Sequence, residues 1–246
     1  VQLYLPSKSI GILFWCSIRG LGMILLIETS TTQCSVGLSQ QGICVSSLSV
    51  NEAQYAHAEV LHVLIAQLLD QQGIRPQDLL ALGVSRGPGS YTGLRIGVSA
   101  AKGLCFALQI PLISMDTLAV LAQQYLHPEK RTVSVLDARR DEVYLGIYDS
   151  QGYALMDPQP QVIMPGYFQK SIFLEENLLF VGSGADKCKE IDPVLGAEYH
   201  GAVWPHAAQM AGQVWRSFEA GLFEDVAYFE PSYLKDFIAN KPQKKS

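Results

Sequence analysis

The chain has 246 residues, 48% of them hydrophobic and 17% charged, with a formal net charge of −5. Such a composition is globular and far from the disordered class, and the length fits one domain or two. The negative balance argues against a free-standing nucleic-acid binder, whose affinity comes mostly from basic side chains neutralising phosphates.

The basic cluster KPQKKS, with Lys241, Lys244 and Lys245, belongs to a C-terminal tail over residues 237–246 that reads as solvated. Five cysteines (Cys16, Cys34, Cys44, Cys105 and Cys188) are scattered without a CxxC spacing. They form neither a disulfide framework nor a zinc site, so a reduced, cytoplasmic setting is expected.

Residues 1–22 differ from the rest. The apolar run Ile10 to Ile18 stands behind Lys8 and is broken by Arg19, with no small-residue cleavage site after it. A membrane span needs roughly 20 continuous apolar residues. The expectation is an upstream extension from a misassigned start, with the native chain opening at Met23.

From Met23 the apolar run ILLIE predicts a buried strand. CSVGLS and ICVSSLSV, joined by QQG, predict a hairpin. A helix is predicted over 56–72, stopped by Gly73. LLALGVS is a strand, the glycine-rich loop follows, and a second helix covers 93–108. IPLISM is another strand, with Asp116 and Thr117 as capping residues for a helix through Gln124.

TVSVLDA and EVYLGIYD then start a second β-rich half, joined by the charged turn RRD. The middle, with Pro158, Pro160 and Pro165, reads as irregular. LLFVGSGA is a strand, and HAAQMAGQVWRSFEAG a helix ended by Gly221. The pattern predicts two related α/β lobes, residues 23–128 and a smaller 129–236.

Both early helices are too apolar for ordinary surface helices. In 93–108 the polar side chains Arg95, Ser99 and Lys102 form one narrow stripe. In 56–72, Val60, Leu61, Val63, Leu64, Ile65, Leu68 and Leu69 wrap beyond a single stripe. The two helices either cover each other, lie under the second lobe, or form an interface with another subunit. For the last case the candidate contact residues are His57, Val60, Leu61, Leu64, Leu68, Leu94, Gly97, Val98, Ala101, Lys102 and Cys105.

The loop Ser85–Gly97 reads SRGPGSYTGLRIG. Its glycines match neither the dinucleotide fingerprint nor the P-loop, and Pro88 and Thr92 rule out a nucleophile elbow. A helix N-terminus still attracts anions, so Glu28, Thr29, Ser30, Gly87, Gly89, Ser90 and Thr92 are candidates for a nucleotide or phosphate site. Ser90 or Thr92 could equally be a helix cap and nothing more. His57 and His62 lie five apart, about 140° around a helix, and do not converge on a metal. Asp137, Arg139, Arg140, Asp141 and Glu142 read as an exposed, ion-paired hairpin turn.

ILLIETSTTQCSVGL, HAEVLHVLI, GPGSYTGLRIGVSAAKGL, IPLISMDTLAVLA, VLDARRDEVYLGIY and EPSYLKDF, in that order, resemble the TsaB (YeaZ) family. That resemblance implies the actin-like sugar kinase/Hsp70 (ASKHA) fold, with two lobes built on mixed sheets. It implies a cytoplasmic, non-catalytic scaffold subunit in threonylcarbamoyladenosine formation beside the tRNA anticodon. Its partners would be the transferase TsaD, met through helices 56–72 and 93–108, and the ATPase TsaE. tRNA would be met only through the complex, and the chain would form a homodimer when alone.

TsaD-type enzymes carry an H-x-x-x-H metal pair where this chain has Thr117 and Leu121, so neither catalytic nor metal residues are expected here. No cofactor is expected of the chain itself, with ATP or ADP and magnesium placed at the complex interface. Glu28 stands where many of these proteins have Asp. The alternative is a stand-alone ATP-binding enzyme of the same fold. A peptidase lacks any nucleophile–base pair to support it.

Overall fold

The computed structural model describes residues 22–51, 57–170, 173 and 177–235. All but the last residue of the expected N-terminal extension, and the basic tail, lie outside these.

The first sheet has the order β3-β2-β1-β4-β5. Its strands are β1 (Met23–Glu28), β2 (Gln33–Gln40), β3 (Ile43–Asn51), β4 (Leu79–Gly87) and β5 (Leu112–Asp116). β1, β2 and β3 run antiparallel through tight turns, while β4 lies parallel to β1 and β5 parallel to β4. Gln41 and Gly42 both take positive φ, as a two-residue hairpin turn requires.

Helices α1 (His57–Gln71) and α2 (Tyr91–Leu108) cover one face of this sheet. Leu61, Leu64, Leu68, Val98 and Cys105 there meet Leu25, Ile27, Val36 and Leu38. Gly73 closes α1 at φ +63°, and Ile74 N–H reaches back to Leu69 O at 2.9 Å.

The second sheet has the order β10-β9-β6-β7-β8. It comprises β6 (Arg131–Asp137), β7 (Glu142–Tyr148), β8 (Ala154–Val162), β9 (Leu178–Val181) and β10 (Glu198–His200). The short helix α3 (Thr117–Ala122) lies between the sheets, and α4 (Ala185–Ile191) follows β9. The stretch expected to be irregular is therefore partly a strand. β8 is an edge strand, the place where Pro158 and Pro160 are tolerated without loss of a ladder bond.

After β10 the chain returns to the first lobe. A 3-10 turn (Ala207–Met210) and α5 (Ala211–Glu219) place Ala207, Met210, Val214 and Phe218 against Ile24 and Leu26. A strap over 222–235 then pairs Glu224 N–H with Leu112 O at 2.8 Å and sinks Phe229 into the helix-side core. Residues 207–235 thus pack on the lobe expected to end at 128.

Candidate functional site

The glycine loop joins β4 to α2 and lies directly on the turn after β1. Ser90 N–H donates to Ser30 O at 2.7 Å, and Thr29 Oγ1 donates to Gly93 O at 2.8 Å. A Cβ on Gly89 would overlap Ser30 O, one on Gly93 would overlap Thr29 O, and one on Gly97 would overlap Thr29 Oγ1. These glycines are small so that the chain's own Thr29–Ser30 backbone can approach. Gly87, at φ +119°, has Ser232 O 2.6 Å from its missing Cβ. Ser90 caps α2, its Oγ accepting from Gly93 N–H at 3.2 Å, while Thr92 is exposed in the first turn.

Glu28, Thr29 and Ser30 are buried. Ser30 N–H donates to Glu28 Oε1 at 2.6 Å, and Glu28 Oε2 has no partner. Burial pushes the Glu28 carboxyl above the ordinary carboxylate range, and Ser30 and Ser85 beside it offset part of that rise. A carboxyl held this way is a poor place for hydrated magnesium, which wants an ionised, open oxygen. Of the residues named for a nucleotide, Glu28, Thr29 and Ser30 are buried against the glycine loop, while Gly89 and Ser90 are half-buried and Thr92 is exposed.

The candidate contact residues also need correction. His57, Leu61, Leu64 and Leu68 on α1, and Leu94, Gly97, Val98, Ala101 and Cys105 on α2, are buried in this chain's own core. Only Val60 and Lys102 are partly open. The physical reason lies in three neighbours: the sheet, the Thr29 turn and the strap. Lys102 Nζ donates to Ala227 O at 3.2 Å and Phe229 O at 2.8 Å. Arg95 Nε donates to Tyr233 Oη at 3.1 Å, its guanidinium lies 4.1 Å over the Tyr91 ring, and Tyr91 and Tyr233 meet at 4.8 Å. Ser232 N–H donates to Arg86 O at 2.7 Å.

Arg95 and Lys102 of the α2 polar stripe thus bind the strap, which local sequence reasoning missed; those two side chains were the signal. The exposed residues are Ala58, Glu59, His62, Val63, Ala66, Gln67, Asp70 and Gln71 on α1, and Thr92, Arg95, Ser99, Gly103, Phe106 and Ala107 on α2. Val63 is 61% and Phe106 74% exposed.

His57 is buried, with Nε2 2.6 Å from Thr31 O, and His62 is exposed, as the helical angle required. Thr117 and Leu121 are buried in the core between the sheets. The charged turn after β6 is ion-paired: Asp137 Oδ1 accepts from Arg139 N–H at 2.7 Å and Lys187 Nζ at 2.5 Å, and Glu142 pairs with Lys235 of the strap. Asp116 takes the N-cap position of α3, but its side chain makes no cap bond. It holds Arg86 through two bonds of 2.9 and 3.0 Å.

A family model described as "TsaD: tRNA N6-adenosine threonylcarbamoyltransferase" matches residues 51–244. Over 178 residues the chain is 30% identical to the tRNA threonylcarbamoyladenosine biosynthesis protein TsaB of Bacillus subtilis, covering 71% of this chain and 77% of that one. The chain belongs to the TsaB (YeaZ) family. The Escherichia coli TsaB is 28% identical over 225 residues, covering 89% of this chain and 96% of its own. The solved structure of YeaZ from Pseudomonas aeruginosa superposes with a TM-score of 0.74 at 28% identity, over 87% of this chain and all of that one. The two mixed five-stranded sheets are the ASKHA fold that the TsaB resemblance implied. No helix among the described residues is long and apolar enough to cross a membrane.

Proposed function

We propose that this chain serves threonylcarbamoyladenosine formation in tRNA as a subunit that binds the transferase TsaD and performs no chemistry itself. The names of its TsaB relatives support the pathway. One observation supports the non-catalytic part: the glycine loop between β4 and α2 packs its small residues against the chain's own Thr29–Ser30 turn. A nucleotide with magnesium then belongs at the junction with TsaD, and TsaE and tRNA are met through the complex in the cytoplasm.

The docking surface is the open side of α1 and α2, where small residues flank Val63 and Phe106. Without TsaD the same surface pairs with a second copy, because a two-fold contact reuses one patch. Gly103→Glu tests this, since no atom lies within 4 Å of a Cβ there. The variant should keep its fold, lose co-purification with the host's TsaD, and leave tRNA undermodified on nucleoside analysis. Unchanged assembly would overturn the docking face. Calorimetry of the isolated chain with ATP and magnesium separates the stand-alone enzyme: binding with turnover would overturn the accessory role.

A further inference from the structure

The turn between β6 and β7 holds its backbone in an unusual way. Arg139 and Arg140 take φ of +72° and +52°, the only consecutive non-glycine pair at positive φ among the described residues. Glycine adopts that backbone freely, whereas a long side chain there carries strain. Strain of this kind concentrates where side chains bind something.

Two of the turn's three carboxylates are engaged within the chain. Asp137 accepts from Lys187 Nζ at 2.5 Å, and Glu142 pairs with Lys235. The guanidiniums are not engaged. Among the described residues neither Arg139 nor Arg140 makes a side-chain hydrogen bond or an ion pair, and both are exposed. Burial and the charge of Arg140 push the Lys235 ammonium down, so positive charge crowds this corner of the second lobe.

An apolar surface adjoins it. Ile163 N–H donates to Asp141 O at 2.9 Å, tying the chain beyond β8 to the turn. Ile163 is buried in the second lobe's core, while its neighbours Val162 and Met164 are 47% and 61% exposed.

Apolar side chains beside free guanidiniums make up a protein-binding surface. Arginine engages carboxylates with two parallel bonds. RNA fits less well, because its sugar–phosphate backbone offers nothing apolar to Val162 and Met164, and the exposed Asp141 repels phosphate. We propose that Arg139, Arg140, Val162 and Met164 receive a second protein whose contact surface sets Asp or Glu side chains around an apolar one. The site shares no residue with the open side of α1 and α2, so it stands or falls apart from the TsaD-docking reading.

The test replaces Met164 by p-benzoylphenylalanine in the full chain, expressed in its native host, and sequences the peptides cross-linked on irradiation. A protein segment with clustered Asp or Glu should be captured. Arg139→Glu with Arg140→Glu should cut the yield about tenfold, as reversal of charge at an ion-paired contact does. Arg139→Gly with Arg140→Gly should cut it similarly without lowering the melting temperature, since glycine suits this backbone. That pairing of lost capture with kept stability is what a merely structural turn would not give. Gly103→Glu, on the other face, should leave the cross-link in place. No cross-link, a cross-link to RNA or to a segment without carboxylates, loss in Gly103→Glu, or a yield untouched by both arginine doubles would overturn the proposal. If the glutamate double fails to fold by circular dichroism, the glycine double decides alone.

Discussion

Thr29 and Gly93 hold each other from both directions. The Thr29 hydroxyl donates to the Gly93 carbonyl at 2.8 Å, and the Thr29 carbonyl occupies the space a Gly93 side chain would need. The first turn of α2 is thereby fastened to the end of β1, with the small loop residues giving room to its main chain.

Gly93→Ala should therefore be costly. The clash is with backbone, which cannot swing aside, so the loss should reach about 3 kcal/mol, the upper end for overpacking. Gly103→Ala, ten residues on in the same helix, faces open space and should gain about 0.5–1 kcal/mol by restricting the unfolded chain. Urea unfolding midpoints of the two variants should move in opposite directions.

Glu28 gives a pH dependence of defined sign. Its folded-state pKa lies above the ordinary 4.5 because the carboxyl is buried. The folded chain then holds this proton more tightly than the unfolded one, so its contribution is full below 4.5 and is lost as pH rises through the raised value. Glu28→Gln should be more stable than the parent near neutral pH, with the two curves converging at acid pH. The amide keeps an oxygen for Ser30 N–H. Urea midpoints across pH check this, and a parent that gains stability from pH 5 upward relative to the variant contradicts it.

The sequence made the β1–β3 meander, both long helices and the Ser90 cap legible, because each rests on a local pattern: alternation, turn residues, or a hydroxyl before a helix. β8 was hidden because prolines mark a loop unless the strand is known to lie on an edge. The interface residues failed for a different reason. An apolar or small residue on a helix records that something covers it, not whose chain does so. Gly97 and Ala101 are covered by the Thr29 turn and the helix-side core, and the partners of Lys102 lie 125 and 127 residues further on. No window along the helix contains that information.

The strap supplies a third prediction. Lys102→Met removes an ammonium that satisfies the Ala227 and Phe229 carbonyls while keeping the aliphatic stem. The expected loss is about 1.5–3 kcal/mol, the range for hydrogen bonds to a charged donor. It should be local: amide exchange should rise from 224 to 233 while β1 and β2 keep their protection. Uniform loss of protection would mean that the strap unfolds only with the whole chain.

The proposed partner face is separable from the core by a pair of charges. Ala101 is fully buried, so Ala101→Glu places a carboxylate among Leu61, Leu68 and Cys105 without a partner. That should cost several kcal/mol and lower expression, and any loss of TsaD binding would follow from unfolding. Phe106 is 74% exposed, so Phe106→Glu should leave the melting temperature within a few degrees of the parent. If the open side of α1 and α2 is where the second polypeptide sits, Phe106→Glu should nevertheless abolish co-purification and convert the isolated chain to a monomer in sedimentation. A folded Phe106→Glu variant that still assembles places the partner elsewhere on the surface.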